Sequence, residues 1–247
     1  MLVGLVSAKG SPGVTTSALA LASQWPRTAL LVDADPFGGD VRAGFGGGDW
    51  PPAAGLAELI VDLRSTTLEQ ALYRRVHHLA PYAPPVLAGL GCVGQSASIP
   101  WSRLGPLLAR IDGADVVADC GRFAAADGVM PLLRTCDALV LVTASSLRAV
   151  RSAARIAPLL QEATGAEAGD PRVSLLVVVA DEPYSAAEIA DGCRLPLLGE
   201  MPKDAIAAAV WSDGARPGRS FARCAMQRTA RQIAEKLASL GPSGRPI

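Results

Sequence analysis

The chain has no long hydrophobic run, no closely paired cysteines, few aromatic residues and no excess of charge. No apolar run approaches the roughly 20 residues that a membrane-spanning helix needs, and no cationic start precedes the apolar stretch of a secretory signal. Acidic and basic residues number 23 each, so no overall field attracts nucleic acid or a membrane surface. The five cysteines are dispersed, which is typical of a reduced protein. We therefore predict a soluble, cytoplasmic protein.

The hydrophobic pattern favours one α/β domain with a large core. Half of the 247 residues are hydrophobic. Short apolar runs alternate with segments of helical period, as in a parallel sheet covered by helices on both faces. Residues 138–142 and 175–179 are apolar throughout, as expected of central parallel strands. We predict a doubly wound, mostly parallel sheet of about seven strands in one domain, residues 1–240. An irregular segment near 37–100 decorates this domain, and a flexible tail follows at 241–247.

The pattern also predicts the bounds of the elements. The predicted strands are 2–7, 29–32, 86–88, 115–118, 138–143, 173–179 and 195–198. The predicted helices are 14–23, 55–63, 68–77, 101–111, 146–163, 185–193, 203–211 and 219–240.

A glycine-rich segment, AKGSPGVTT at residues 8–16, joins the first predicted strand to the first predicted helix. A phosphate-binding loop with the pattern G-x-x-x-x-G-K-[ST] has this setting, with its lysine on the phosphates and its hydroxyl on magnesium. Here Ala8 replaces the first glycine and Val14 replaces the lysine, whereas Thr15 keeps the hydroxyl. The segment indicates a phosphate site, and a tight turn without a ligand is the alternative.

Carboxylates follow two of the predicted strands. Asp33 and Asp35 come after the second strand, and Asp119 ends a later strand and is followed by Gly121. Ligands of open α/β sheets bind where the strands end. An aspartate and a glycine at such a place are typical of a magnesium-linked carboxylate and a γ-phosphate loop. Capping or solvation of the strand ends is the alternative.

With these motifs the chain resembles the MinD/ParA family of deviant P-loop ATPases over nearly its whole length. The family's K-G-G-x-G-K-[ST] loop matches residues 9–15 with two changes, and its D-x-D motif matches 33–35. Its D-[TL]-x-G motif is matched by Asp119 and Gly121. Residues 55–59 and 86–89 resemble the CpaE-like branch, which places or regulates pilus and secretion machinery. The resemblance implies a homodimer that sandwiches ATP with Mg²⁺.

The resemblance also implies roles for individual residues. Lys9 would reach across the dimer to the partner's phosphates, and Asp35 would orient the attacking water, so both are predicted to be catalytic. The residues predicted to bind the nucleotide are Lys9, Gly10, Ser11, Gly13, Val14, Thr15, Thr16 and Gly121. The residues predicted to hold Mg²⁺ are Thr15, Asp33 and Asp119.

Two departures from the family pattern bear on activity. Val14 removes charge-assisted hydrogen bonds to phosphate that are worth about 1.5–3 kcal/mol each. We therefore expect nucleotide binding to survive better than hydrolysis. Arg122 follows Gly121 and either replaces part of the missing charge or is an exposed loop cation. At the adenine end the family usually has Asn, whereas residues 180–181 are Ala-Asp.

The sequence predicts a nucleotide-responsive, dimerising switch that positions or regulates a cellular assembly through a protein partner, with weak or partner-dependent ATP hydrolysis. One alternative is a pseudo-ATPase scaffold without a nucleotide cycle. Another is a ParA-like DNA-bound partitioning protein, because Arg148, Arg151 and Arg155 have the spacing of one helical stripe. The balanced net charge does not support nonspecific DNA binding, and such a stripe is also typical of a solvated face. The helix at 219–240 is predicted to pack on the sheet and not on a membrane.

Overall fold

A computed structural model describes residues 1–9, 12–47, 50–51, 54–123, 128–179 and 183–241. Within these residues one sheet contains eight strands. In chain order they are β1 Leu2–Ser7, β2 Ala29–Asp33, β3 Val76–His77, β4 Val86–Leu87, β5 Asp115–Arg122, β6 Ala138–Ala144, β7 Val173–Val179 and β8 Leu197–Pro202. The spatial order is β3-β4-β2-β5-β1-β6-β7-β8. Every neighbouring pair is parallel except β3–β4, which is antiparallel. The predicted doubly wound α/β fold is confirmed, with one more strand than expected.

Helices cover both faces of this sheet. They are α1 Val14–Ser23, α2 Asp40–Ala43, α3 Leu56–Asp62, α4 Leu68–Arg75, α5 Trp101–Leu108, α6 Met130–Leu133, α7 Leu147–Thr164, α8 Ala186–Cys193, α9 Ala205–Ser212 and α10 Ala225–Ser239. Short 3₁₀ helices occupy Val93–Ser98 and Phe221–Arg223. The first core lies between the sheet and α3 to α8, and the second between the sheet and α1, α9 and α10. None of the helices in the described ranges has the length and apolar content to cross a bilayer.

The predicted bounds of β1, β7 and α1 are confirmed, whereas two predicted helices are wrong in part. The predicted helix 68–77 ends at Arg75, and Val76–His77 becomes the antiparallel edge strand β3. Val76 is β-branched and extended, and the ring of His77 packs edge-on against Trp50 with their centroids 5.5 Å apart. Packing therefore ends the helix there.

The predicted helix 219–240 is likewise interrupted. It consists of the 3₁₀ turn Phe221–Arg223 and then α10, separated by Cys224 in an extended conformation. Phe221 is buried against the rings of Trp211 and Tyr82, at centroid distances of 5.5 and 5.9 Å. The predicted packing of this segment on the sheet is confirmed, since α10 lies against β8 and α1. Of the predicted flexible tail, only Gly241 belongs to the described residues.

The sheet topology brings the ends of β1, β2 and β5 together. Asp33 at the end of β2 pairs with Asp119 of β5, and Ser7 at the end of β1 pairs with Arg122. The chain leaves β1 for the glycine-rich loop and enters α1 through Gly13, whose φ of 92° lies in the left-handed region that favours glycine. The predicted site residues in the described ranges therefore share the carboxyl edge of the sheet.

Candidate functional site

A cavity of about 670 Å³ opens at this edge of the sheet. Its walls come from the glycine-rich loop, the loop after β2, the end of β5 and the end of α9. The lining residues are Ser7, Pro12, Gly13, Val14, Thr15, Thr16, Asp35, Phe37, Asp40, Ala43, Gly44, Gly121, Arg122, Trp211, Ser212 and Asp213. The position and size suit a small-molecule ligand.

The glycine-rich loop leads directly into the amino end of α1. Val14 is the first helical residue and Thr15 the second, so unpaired backbone N–H groups and the helix dipole favour an anion there. Val14 is only 6% exposed and packs in the second core, where it supplies no charge. Lys9 is exposed at the start of the loop, and Gly10 and Ser11 lie outside the described residues. The loop therefore leads into the amino end of a helix, as a phosphate-binding loop does, but it lacks the usual lysine.

Asp119 lies fully buried beside Thr15. The backbone N–H of Gly121 donates to its Oδ1 at 3.0 Å. Its Oδ2 has no hydrogen bond of normal geometry within the described residues, although the Thr15 hydroxyl is near enough to favour the charged form. Burial outweighs these contacts and raises the pKa of Asp119 to about 6. Few hydrogen bonds offset the burial of this carboxylate charge, so the oxygen favours binding of a cation or a proton.

Asp33 is also fully buried, next to Asp119 in the sheet. Burial, and then the charge of Asp119, raise its pKa well above the ordinary value. The N–H of Asp35 lies 3.4 Å from its Oδ1, whereas its Oδ2 has no hydrogen bond of normal geometry among the described residues. The backbone N–H of Val41 is nevertheless near enough to favour the charged form. A Cβ on Gly39 would lie 1.7 Å from that Oδ2, so the loop backbone closes directly over the carboxylate. Asp33 therefore lies beneath the cavity wall and not in it.

Asp35 differs from Asp33, because its carboxylate lines the cavity. Its Oδ1 accepts a hydrogen bond of 2.8 Å from the N–H of Phe37. Gly121 has a φ of 60°, and a Cβ there would lie 2.2 Å from Oδ2 of Asp35. The loop after β2 and the end of β5 therefore touch at Asp35 and Gly121, and both residues line the cavity.

The oxygen-rich side chains fit Mg²⁺ better than a metal that prefers nitrogen or sulfur ligands. Thr15 and Asp119 offer a hydroxyl and a carboxylate beside the helix end where phosphate oxygens would lie. No group of three or more His, Cys, Asp or Glu side chains within the described ranges forms a metal centre by itself. That observation suits Mg²⁺, which usually keeps several waters and shares the oxygens of a bound phosphate.

The far wall of the cavity is not anticipated by the sequence. It is formed by Trp211, Ser212 and Asp213. They face the turn after α2, where a Cβ on Gly44 would lie 2.0 Å from the carbonyl oxygen of Ser212. Trp211 is fully buried, and its ring contacts Phe45 at 5.5 Å. The available signal is a large aromatic residue at the end of the predicted helix 203–211, although its position on the cavity depends on packing between distant segments.

Two further predicted features lie outside this cavity. Arg148, Arg151 and Arg155 are on α7 and do not line it, so a DNA-binding role for them stays a prediction. The expected adenine-end departure at 180–181 falls outside the described residues.

The β1–loop–α1 unit and the parallel sheet define a doubly wound fold of the P-loop type. No family model matches the chain. Among curated proteins, uncharacterized proteins of Mycobacterium tuberculosis strains CDC 1551 and H37Rv are each 31% identical over 207 residues. The match covers 81% of this chain and 54% of each relative, so the chain spans about half their length.

Solved structures identify the fold more closely. The chain is similar to a ParA family ATPase from Chlorobium tepidum (23% identity, TM-score 0.73, covering 95% of this chain and 98% of that one). It is also similar to the cell division ATPase MinD of Pyrococcus furiosus (18%, 0.75, covering 97% and 99%). A third similar structure is the septum site-determining protein MinD of Pyrococcus horikoshii in complex with Mg-ADP (17%, 0.73, covering 100% and 99%). The chain has the MinD/ParA fold.

Proposed function

We propose that this chain is a nucleotide-responsive switch of the MinD/ParA type. It binds Mg-ATP, forms a homodimer around the nucleotide, and positions or regulates a cellular assembly through a protein partner. The observation that carries this proposal is the position of the Thr15 hydroxyl beside the undercompensated Asp119 carboxylate, at the amino end of α1 and next to the cavity. The Mg-ADP complex of a protein with this fold supports it.

Each part of the cavity has a distinct task in this proposal. The amino end of α1 would bind the phosphates, and Thr15 and Asp119 would hold Mg²⁺ beside them. The cation supplies charge that neutralises the phosphate oxygens. Asp35 lies on the cavity wall, where it orients the attacking water. Asp33 remains a predicted member of the metal site, and its Oδ1 lies toward the backbone N–H of Asp35.

Hydrolysis is expected to be weak or to depend on a partner. A buried valine stands at the position of the usual P-loop lysine, so a charge that stabilises the transition state is missing. Lys9 is exposed at the start of the loop, as a residue that acts on the partner's nucleotide must be. We therefore expect ATP to control dimerisation more strongly than the chain hydrolyses it.

The proposal is tested by measuring molecular mass by light scattering with and without Mg-ATP. We expect the wild type to double its mass with ATP, and Lys9→Ala to remain monomeric. Arg110→Ala removes an exposed cation after α5, at the opposite edge of the sheet, and serves as the matched control. Intact ATP-dependent dimerisation in Lys9→Ala would contradict the assigned role of Lys9 and the switch with it.

A second candidate is a scaffold that binds its partners without a nucleotide cycle. The burial of Val14 in the second core favours it, because a valine there contributes to folding and cannot contact phosphate through a charge. The scaffold predicts the same mass and the same partner affinity with and without nucleotide. The switch predicts that both change.

A further inference from the structure

Arg122 is the last residue of β5 and lies at the level of the glycine-rich loop. It pairs with Ser7, the last residue of β1 before that loop, and the N–H of Phe123 donates to the Ser7 carbonyl at 2.8 Å. The backbone of Arg122 is thus fixed within the sheet, while its side chain is exposed and lines the cavity. A long cationic side chain on a fixed backbone beside a phosphate loop can reach a phosphate with little rearrangement.

Arg122 differs in charge from the other charged residues that line the cavity. Among the described lining residues, Asp35, Asp40 and Asp213 are negative, and Arg122 alone is positive. Val14 provides no charge, and a polyphosphate placed among these carboxylates would be repelled unless cations offset them. Among the described residues that line the cavity, Arg122 is therefore the cationic side chain that could contact a phosphate bound in the same subunit.

In this structure the guanidinium carbon of Arg122 lies 5.4 Å from the centre of the Phe37 ring. Phe37 is 41% exposed and belongs to the loop after β2 that also carries Asp35. Arg122 forms no ion pair with any described residue. An exposed cation–π contact is weaker than the charge-assisted, bidentate contact that a guanidinium makes with phosphate. A phosphate in the cavity would therefore draw Arg122 away from Phe37.

We propose that Arg122 replaces the missing P-loop lysine by leaving Phe37 and binding the terminal phosphates of ATP within its own subunit. The inference rests on the proposed function, since it presumes that ATP binds. Release of Phe37 at that moment also frees the loop after β2, which links phosphate binding to the conformation of the loop that carries Asp35. The exchange of one contact for another needs no co-reactant and no covalent step.

The test is a double-mutant cycle of Mg-ATP affinities measured by calorimetry on the full chain. The variants are Arg122→Ala, Val14→Lys and the two combined, with Arg110→Ala, which removes the exposed cation after α5, as the matched control. We expect Arg122→Ala to weaken binding about ten- to a hundredfold with Val14 present, and much less with Val14→Lys, because the restored lysine takes over the contact. Arg110→Ala should bind as the wild type does.

Phe37→Leu gives a second measurement that does not depend on whether the buried Val14→Lys variant folds. It removes the ring but keeps an apolar side chain, so Arg122 is no longer held away from the cavity. We expect the Phe37→Leu variant to bind ATP with equal or severalfold higher affinity. If the Phe37 ring instead contacted the nucleotide itself, the substitution would weaken binding.

Two results would overturn this inference alone. One is wild-type affinity in Arg122→Ala, and the other is an equal loss of affinity on Arg122→Ala in the wild-type chain and in the Val14→Lys variant. A wild-type chain that binds no ATP would contradict the proposed function as well.

Discussion

Replacement of Asp119 by asparagine should stabilise the metal-free protein at neutral pH. Burial raises the pKa of Asp119 from 3.8 to about 6, so the folded state binds the proton more tightly than the unfolded state does. The stability that comes from this proton is fully present below pH 3.8 and is lost as the pH rises through about 6. A pKa difference of about two, at about 1.36 kcal/mol for each pKa unit, corresponds to about 3 kcal/mol at pH 7. Asparagine cannot ionise and avoids this loss.

The assay is urea denaturation in EDTA at several pH values between about 4.5 and 7.5. The free energy of unfolding of Asp119→Asn minus that of the wild type should increase by about 2 kcal/mol across this range, because about a third of the full effect is already present at pH 4.5. Asp191→Asn, which changes an exposed carboxylate on α8, should show no such trend. With Mg²⁺ and ATP in place of EDTA, the wild type should recover stability and Asp119→Asn should not. A difference that is independent of pH, or an Asp119→Asn variant less stable than the wild type at pH 7, would refute the reasoning.

Two further substitutions test the walls of the cavity. Gly121→Ala should destabilise the fold and weaken nucleotide binding, since a Cβ would lie 2.2 Å from Oδ2 of Asp35. Gly165→Ala is the control, because Gly165 has a similar positive φ but open space around it. By urea denaturation, Gly121→Ala should lose about 1–3 kcal/mol more unfolding free energy than Gly165→Ala, and this difference measures the clash. Trp211→Phe should abolish the change in intrinsic fluorescence that Mg-ATP causes, because Trp211 lines the cavity. Trp101→Phe, in the core on the opposite face of the sheet, should keep that change, and the reverse result would place the nucleotide elsewhere.

The parts of the fold that local sequence determines could be predicted. β1, β7 and α1 have unbroken hydrophobic patterns bounded by loop residues, so their limits follow from periodicity. β3 could not be predicted, because a two-residue strand exists only through its pairing with β4 and the packing of His77 on Trp50. A segment at the end of a helical pattern gives no sign of such a contact.

In the candidate site, too, some features could be predicted from the sequence and others could not. The loop, Thr15 and the carboxylates share one edge because strand ends in a parallel sheet converge there, and sequence order was enough to predict this. The D-x-D pattern does not distinguish its two carboxylates, although Asp33 is sealed beneath Gly39 and Asp35 lines the cavity. Trp211 reaches the cavity through packing against Phe45 in the turn after α2, which is far earlier in the chain. Such long-range contacts leave no local pattern.

The most direct test of the central claim is a calorimetric titration of the wild-type chain with ATP, in Mg²⁺ and in EDTA, followed by light scattering of the same samples. The proposed switch predicts saturable, magnesium-dependent binding that is accompanied by dimerisation, and loss of the magnesium dependence in Thr15→Ala. Absence of binding at millimolar ATP, with an unchanged molecular mass, would contradict the switch and favour the scaffold.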